Sequence, residues 1–188
     1  MEELYQQLQK FQPYNLQEEE DKKGMLLYME SFSNVFTRDN IFGHFTSSPW
    51  IVNTKRDKVL MVYHSIYQSW SWCGGHCDGN QNVLEVALKE GKEETGLQNL
   101  KAVSNDIFAI DLLSVIPHMK KGAFVSAHTH LNITFLCEAD EAEVICCKPD
   151  ENKAVKWIPI EDINTYVQES AMRIVYQKLI EKVKKLGV

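Results

Sequence analysis

The spacing of apolar residues changes near residue 41, and the change divides the chain in two. Before it, Leu4, Leu8 and Phe11 recur at helical spacing until Pro13 ends the run. Glu18 to Asp21 then place negative charge where a helix N-terminus favours it, and Met25, Tyr28, Met29, Phe32 and Phe36 make an apolar stripe behind them. Residues 1–40 are therefore expected to form a helical N-terminal extension packed by its stripe on a core. A lid, or an arm reaching across a homodimer, is the other use such a segment has. From His44 onward the pattern is strand-like. HFTSSPWIVN and KVLMVYH are rich in aromatic and β-branched residues, and the polar turn NTKRD between them predicts a hairpin. SWSWCGGH is a further extended stretch, and IFAIDLLSVIP, VSAHTHLNITFLCEA and AVKWIPI predict three more strands. A last amphipathic helix carries Met172, Val175, Tyr176, Leu179 and Val183, and its basic end (Lys182, Lys184, Lys185) suits the helix dipole. The expected fold class is α/β: a mixed sheet flanked by helices, in a domain spanning residues 41–188.

Between the strands, GHCDGNQNVLEVALKEGKEETGL (Gly75 to Leu97) predicts one more helix. Asn82 is a good N-cap, Glu85 could complete a capping box, and the helix should begin near Val83. Leu84, Ala87, Leu88, Gly91 and Thr95 share one stripe, while Glu90, Glu93 and Glu94 lie on an adjacent face with Val86. Gly91 costs about 1 kcal/mol against Ala inside a helix, which close packing on a strand would explain. Gly96 suits the residue after the last turn, with Leu97 packing back. The grouped carboxylates repel one another, and the dipole opposes acidic residues near a helix C-terminus. Both facts favour a missing counterion, a hard divalent cation, over a merely solvated acidic end.

Composition narrows the options. The 188 residues, 44% apolar and 24% charged, suit a globular domain that needs no disulfides. A net charge of −6 without a basic stripe argues against binding long nucleic acid, but not against a small phosphorylated ligand beside a bound cation. Five cysteines suggest no disulfide framework, and Cys73, His76 and Cys77 lack the second pair of a zinc finger. The N-terminus MEELYQQLQKF has no apolar signal core, and no apolar run approaches the roughly 20 residues that span a bilayer. A reduced, cytoplasmic protein without membrane segments is expected.

The stretch from Gly75 to Leu97 resembles the signature box of the Nudix (MutT-like) pyrophosphohydrolases. Gly75 opens the pattern, Glu90 and Glu93-Glu94 hold its acidic positions, and Gly96-Leu97 closes it. The surrounding strand order is also similar, over residues 41–165. Three positions depart: Gln81 stands for the first Glu, Lys89 for Arg and Gly91 for an apolar residue. The resemblance implies an α/β/α sandwich. It also implies Glu90, Glu93 and Glu94 as catalytic residues holding Mg2+ or Mn2+, with the Gly74 carbonyl and Glu151, before Trp157 of the last strand, as further ligands. Glu93 is then the candidate to accept a proton from the attacking water. The implied reaction is metal-dependent hydrolysis of a diphosphate linkage in a nucleoside diphosphate derivative or related small molecule. Gln81 and Lys89 keep a second reading open, a weakly catalytic nucleotide-binding or sensor module. His128 and His130 share a strand face, and His76 follows the double Gly; these are the candidate substrate contacts, against a bland reading as cross-strand polar residues.

Overall fold

The computed structural model describes residues 1–64, 68–120 and 122–187. Two helices, α1 (Glu2–Lys10) and α2 (Leu16–Ser31), precede β1 (Gly43–Asn53), β2 (Lys58–His64), β3 (Ser69–Ser71) and β4 (Gly75–His76). Then come α3 (Val83–Thr95), β5 (Lys101–Ala102), β6 (Ala109–Val115), β7 (His118–Lys120), β8 (Ala123–Val125), β9 (His128–Ala139) and β10 (Asn152–Pro159). A short 3-10 turn, α4 (Ile163–Tyr166) and α5 (Ser170–Lys185) end the chain.

β1 is buried at every position, as a strand covered on both faces must be. It pairs in parallel with β9 from Gly43 opposite Thr129 to Asn53 opposite Ala139, and forms the predicted antiparallel hairpin with β2. β10 extends the sheet beyond β2, and β6 pairs antiparallel with β9. The sheet is therefore mixed. Neighbouring residues of β1 feed opposite layers. Phe45 and Ile51 pack with Val86 and Ala87 of α3 and with Leu4, Leu8, Met25 and Met29 of the first two helices. Trp50 and Val52 pack with Tyr176, Leu179 and Val183 of α5. The result is the α/β/α sandwich, with the N-terminal helices built into one of its layers.

Some boundaries differ from the sequence expectation. α2 stops at Ser31, so Phe36 is not on its stripe; it lies in the following turn and stacks on Phe45 with ring centroids 5.3 Å apart. The strand expected from VSAHTHLNITFLCEA begins late, at His128, because Val125 belongs to β8, which pairs with His118–Lys120. No helix among the described residues is long and apolar enough to cross a membrane.

Candidate active site

α3 begins as its sequence dictates: the Asn82 side chain accepts the Glu85 N–H at 3.1 Å. The reciprocal half of the capping box is absent, because Glu85 accepts from Asn80 Nδ2 and the Asn82 N–H goes to Asn80 Oδ1. The helix ends at Gly96, whose φ of 76° is the left-handed conformation that glycine adopts without strain. Its last carbonyls are claimed by the late loop. Cys146 N–H donates to Thr95 O at 2.8 Å, and Asn152 Nδ2 to Glu94 O at 3.0 Å. These bonds hold residues 146–152 against the acidic end of α3.

Gly91 lies where α3 crosses β1. A methyl group there would stand 2.6 Å from Leu100 Cδ2 and 3.0 Å from Pro49 Cγ. The space an apolar box residue would fill is already occupied. Gly91→Val is expected to destabilise the fold by about 1–3 kcal/mol through overpacking, read as a lowered denaturation midpoint. Val86, assigned from the sequence to the carboxylate face, is buried, and Leu84 and Leu88 are only partly so. The buried face is thus rotated toward Glu94, which is 7% exposed.

Carboxylate oxygens of Glu90, Glu94 and Glu151 lie within 4.8 Å of one another. Glu94 Oε1 accepts the Gly74 N–H at 2.9 Å. Burial, opposed by that hydrogen bond and reinforced by Glu90 and Glu151, pushes the Glu94 carboxyl up to about 8. Burial and then Glu93 raise Glu90 as well. Gly75 abuts Glu90 so closely that a Cβ on Gly75 would stand 2.6 Å from Oε2. Glu93 sits apart from this trio on the exposed side, paired with Lys148 at 3.3 Å and Lys89 at 3.7 Å. Lys148, which the sequence did not single out, also pairs with Glu151 at 2.9 Å. The box departures Gln81 and Lys89 are exposed; Gln81 accepts a hydrogen bond from the N-terminal ammonium of Met1.

A cavity of about 900 Å3 opens beside this cluster and reaches it at Gly74 and Gly75. Trp72, Ile116 and Phe124 give it apolar wall. His76, His128 and His130 all line it, and so does His44, which sequence reasoning missed. His44 lies opposite His130 in the parallel register of β1 and β9. The rings of His44, His76 and His130 are 4.8–5.2 Å apart, centroid to centroid. Burial first, then the neighbouring imidazoles, push His130 down to about 2; burial also lowers His44. The two are held neutral. Cys73 and Cys77 are buried free thiols, Cys77 pushed up to about 12, so neither is a thiolate poised for catalysis.

The NUDIX domain family model matches residues 45–182 of this chain. The bis(5'-nucleosyl)-tetraphosphatase (asymmetrical) of Rattus norvegicus is 25% identical over 130 residues, covering 69% of this chain and 82% of the rat protein. The Mus musculus enzyme of the same name matches to the same extent. Among solved structures, an Ap4A hydrolase binary complex from C. elegans superposes with a TM-score of 0.55 at 18% identity, covering 76% of this chain and 96% of that one. The Nudix hydrolase RenU from M. smegmatis gives 0.58 at 14% identity, covering 78% and 90%. At those identities the structural likeness speaks to the fold alone; the domain match carries the family. The chain is a member of the Nudix family and a hydrolase of pyrophosphate bonds.

Proposed function

We propose that the chain is a Mg2+-dependent hydrolase of a diphosphate linkage in a nucleoside diphosphate derivative, with dinucleoside polyphosphates the first substrates to try. The observation that carries this is the convergence of Glu90, Glu94 and Glu151 beside the cavity at Gly74–Gly75. The donor set fits the ion. Mg2+ takes oxygen ligands and is held by a few carboxylates together with substrate phosphates. A buried carboxylate whose acidity burial suppresses gains most from a cation, and the bare Cα of Gly75 leaves room for Glu90. Glu90, Glu94 and Glu151 would hold the metal, with the Gly74 carbonyl as a further ligand. When bound, the metal supplies charge neutralisation for the phosphate oxygens and raises the acidity of the attacking water.

The chain's own residues do the rest. Gly74 N–H orients Glu94. Glu93, half-exposed at the rim and tethered by Lys148 and Lys89, is the candidate to accept the water's proton. Trp72 and Phe124 offer faces on which a base could stack. The locations of Gln81 and Lys89, outside the carboxylate trio, favour turnover over the sensor reading.

The test is product analysis with Mg2+ over a panel of nucleoside triphosphates, nucleoside diphosphate sugars and dinucleoside tetraphosphates. An unequal cut of a tetraphosphate leaves a nucleoside triphosphate and a monophosphate. Binding without turnover across the whole panel would favour the sensor instead. A second expectation concerns Gly75→Ala. Its methyl group would displace the flexible end of Glu90, so the Mg2+ concentration for half-maximal activity should rise about 10-fold or more, roughly 1.4 kcal/mol of lost affinity. An unchanged Mg2+ dependence would remove Glu90 from the ligand set.

A further inference from the structure

We propose that His44, His76 and His130 form a second metal site, selective for a borderline transition-metal ion such as Zn2+ and separate from the carboxylate site for Mg2+. Three strands contribute to it: β1, β4 and β9. Ligand nitrogens of the three residues lie within 4.8 Å of one another. Tetrahedral binding at ~2.0–2.1 Å brings such nitrogens to about 3.4 Å, a movement of side chains only.

A buried lone pair points to the ion. His44 is 4% exposed, and its Nε2 has no hydrogen-bond partner among the described residues. Its Nδ1 lies 3.4 Å from Asn40 O, so the proton belongs on Nδ1 and the lone pair on Nε2. A ligating histidine is ordinarily anchored in this way, through the ring nitrogen the metal does not use. An orphaned buried nitrogen costs stability unless something binds it.

His128 repeats the pattern. Its Nδ1 is 2.9 Å from Ser126 O, which makes Nδ1 the donor there, and its Nε2 faces Nε2 of His130 at 3.2 Å. Two lone pairs cannot face each other so closely; a proton on one of the two nitrogens or a shared cation reconciles them. His128 is therefore the flanking residue that orients His130 or joins the shell.

Ligand chemistry sets the selectivity. Imidazole nitrogens suit Zn2+, Ni2+ or Cu2+, whereas Mg2+ requires oxygen. Arg38, the nearby cation lining the cavity, is neutralised by two hydrogen bonds to Asp78 at 2.7 and 2.6 Å. A phosphate held by imidazolium groups is the competing use of the cluster. It would need several positive charges on rings about 5 Å apart, some of them buried.

The test uses the full-length chain, stripped with chelator and titrated with Co2+ or Zn2+ in excess Mg2+. Calorimetry should find one ion per chain, and Co2+ should show visible absorption of a low-coordinate nitrogen site. His76→Gln, at a half-exposed position on the short β4, should weaken Co2+ binding about 100-fold. Glu94→Gln should leave it unchanged, which separates failure of this site from failure of the Mg2+ site. Cu2+ on the unaltered chain should give a paramagnetic resonance spectrum with splitting from imidazole nitrogen, a readout that requires no variant to fold. Absence of Co2+ and Zn2+ binding in excess Mg2+, loss of binding in Glu94→Gln, or a Cu2+ spectrum without nitrogen splitting would overturn the proposal.

Discussion

Glu94→Gln is expected to lower Mg2+-dependent hydrolysis at least 1,000-fold, about 4 kcal/mol of transition-state stabilisation, while leaving the metal-free protein as stable as before or more so. The two halves of this expectation have one cause. Glu94 is almost wholly buried, and burial raises the cost of its charge enough to push the carboxyl up to about 8. Without a cation, the neutral side chain is the better fit to the site. Gln keeps that shape, and its Oε1 can still accept the Gly74 N–H that Glu94 accepts at 2.9 Å. What Gln lacks is the anion that a divalent cation requires. In Mg2+-free buffer the thermal midpoint should therefore stay level or rise. On adding Mg2+, only the unaltered chain should gain further stability, in proportion to the logarithm of ion concentration over its dissociation constant. Full activity in the variant would remove Glu94 from the ligand set. A marked fall in the metal-free midpoint would remove the missing-counterion account.

The acidic helix was legible because its signals are local. The Asn82 cap, the left-handed Gly96 and three carboxylates at helical spacing all lie within one short stretch, and each acts through neighbours three or four residues away. Which carboxylate is buried was not legible, because that depends on how α3 rolls on β1. Val86 and Glu94 face inward together, and Glu93 is left to Lys148. Lys148 and His44 escaped notice for a related reason. Lys148 reaches the site only because Cys146 and Asn152 bond to the carbonyls of the last turn of α3. His44 meets His130 only through the parallel register of β1 and β9, a pairing between distant segments that no hairpin can make. The N-terminal segment shows the same division. Its helical period was readable, but Glu18, read as a favourable charge at a helix start, is also completely buried against Lys178 and Lys182 of α5.

Lys178→Met is expected to cost about 3–5 kcal/mol of folding stability near pH 8, with a smaller loss near pH 5. Lys178 is 5% exposed and donates to Asp111 Oδ1 at 2.7 Å, Gln17 Oε1 at 2.9 Å and Ile110 O at 3.0 Å. Its loss falls unevenly. Glu18 keeps Lys182 at 2.9 Å and the Tyr14 N–H at 2.8 Å. Asp111 keeps nothing comparable, since its Oδ2 already has no hydrogen-bond partner among the described residues. Burial pushes Asp111 up to about 6 even with Lys178 pulling the other way. An acid whose folded-state pKa exceeds its unfolded value favours the folded state while protonated. Its contribution is lost as pH rises from about 4 through the folded pKa, and is constant above it. With Lys178 present that window closes near 6; without it the upper edge moves to higher pH and the loss continues further. Urea unfolding of both proteins across this range would show it: the deficit should shrink on acidification, and Asp111→Asn added to the variant should recover much of it. A deficit that does not change with pH would place the cost in lost packing of the lysine stem, not in a stranded carboxylate.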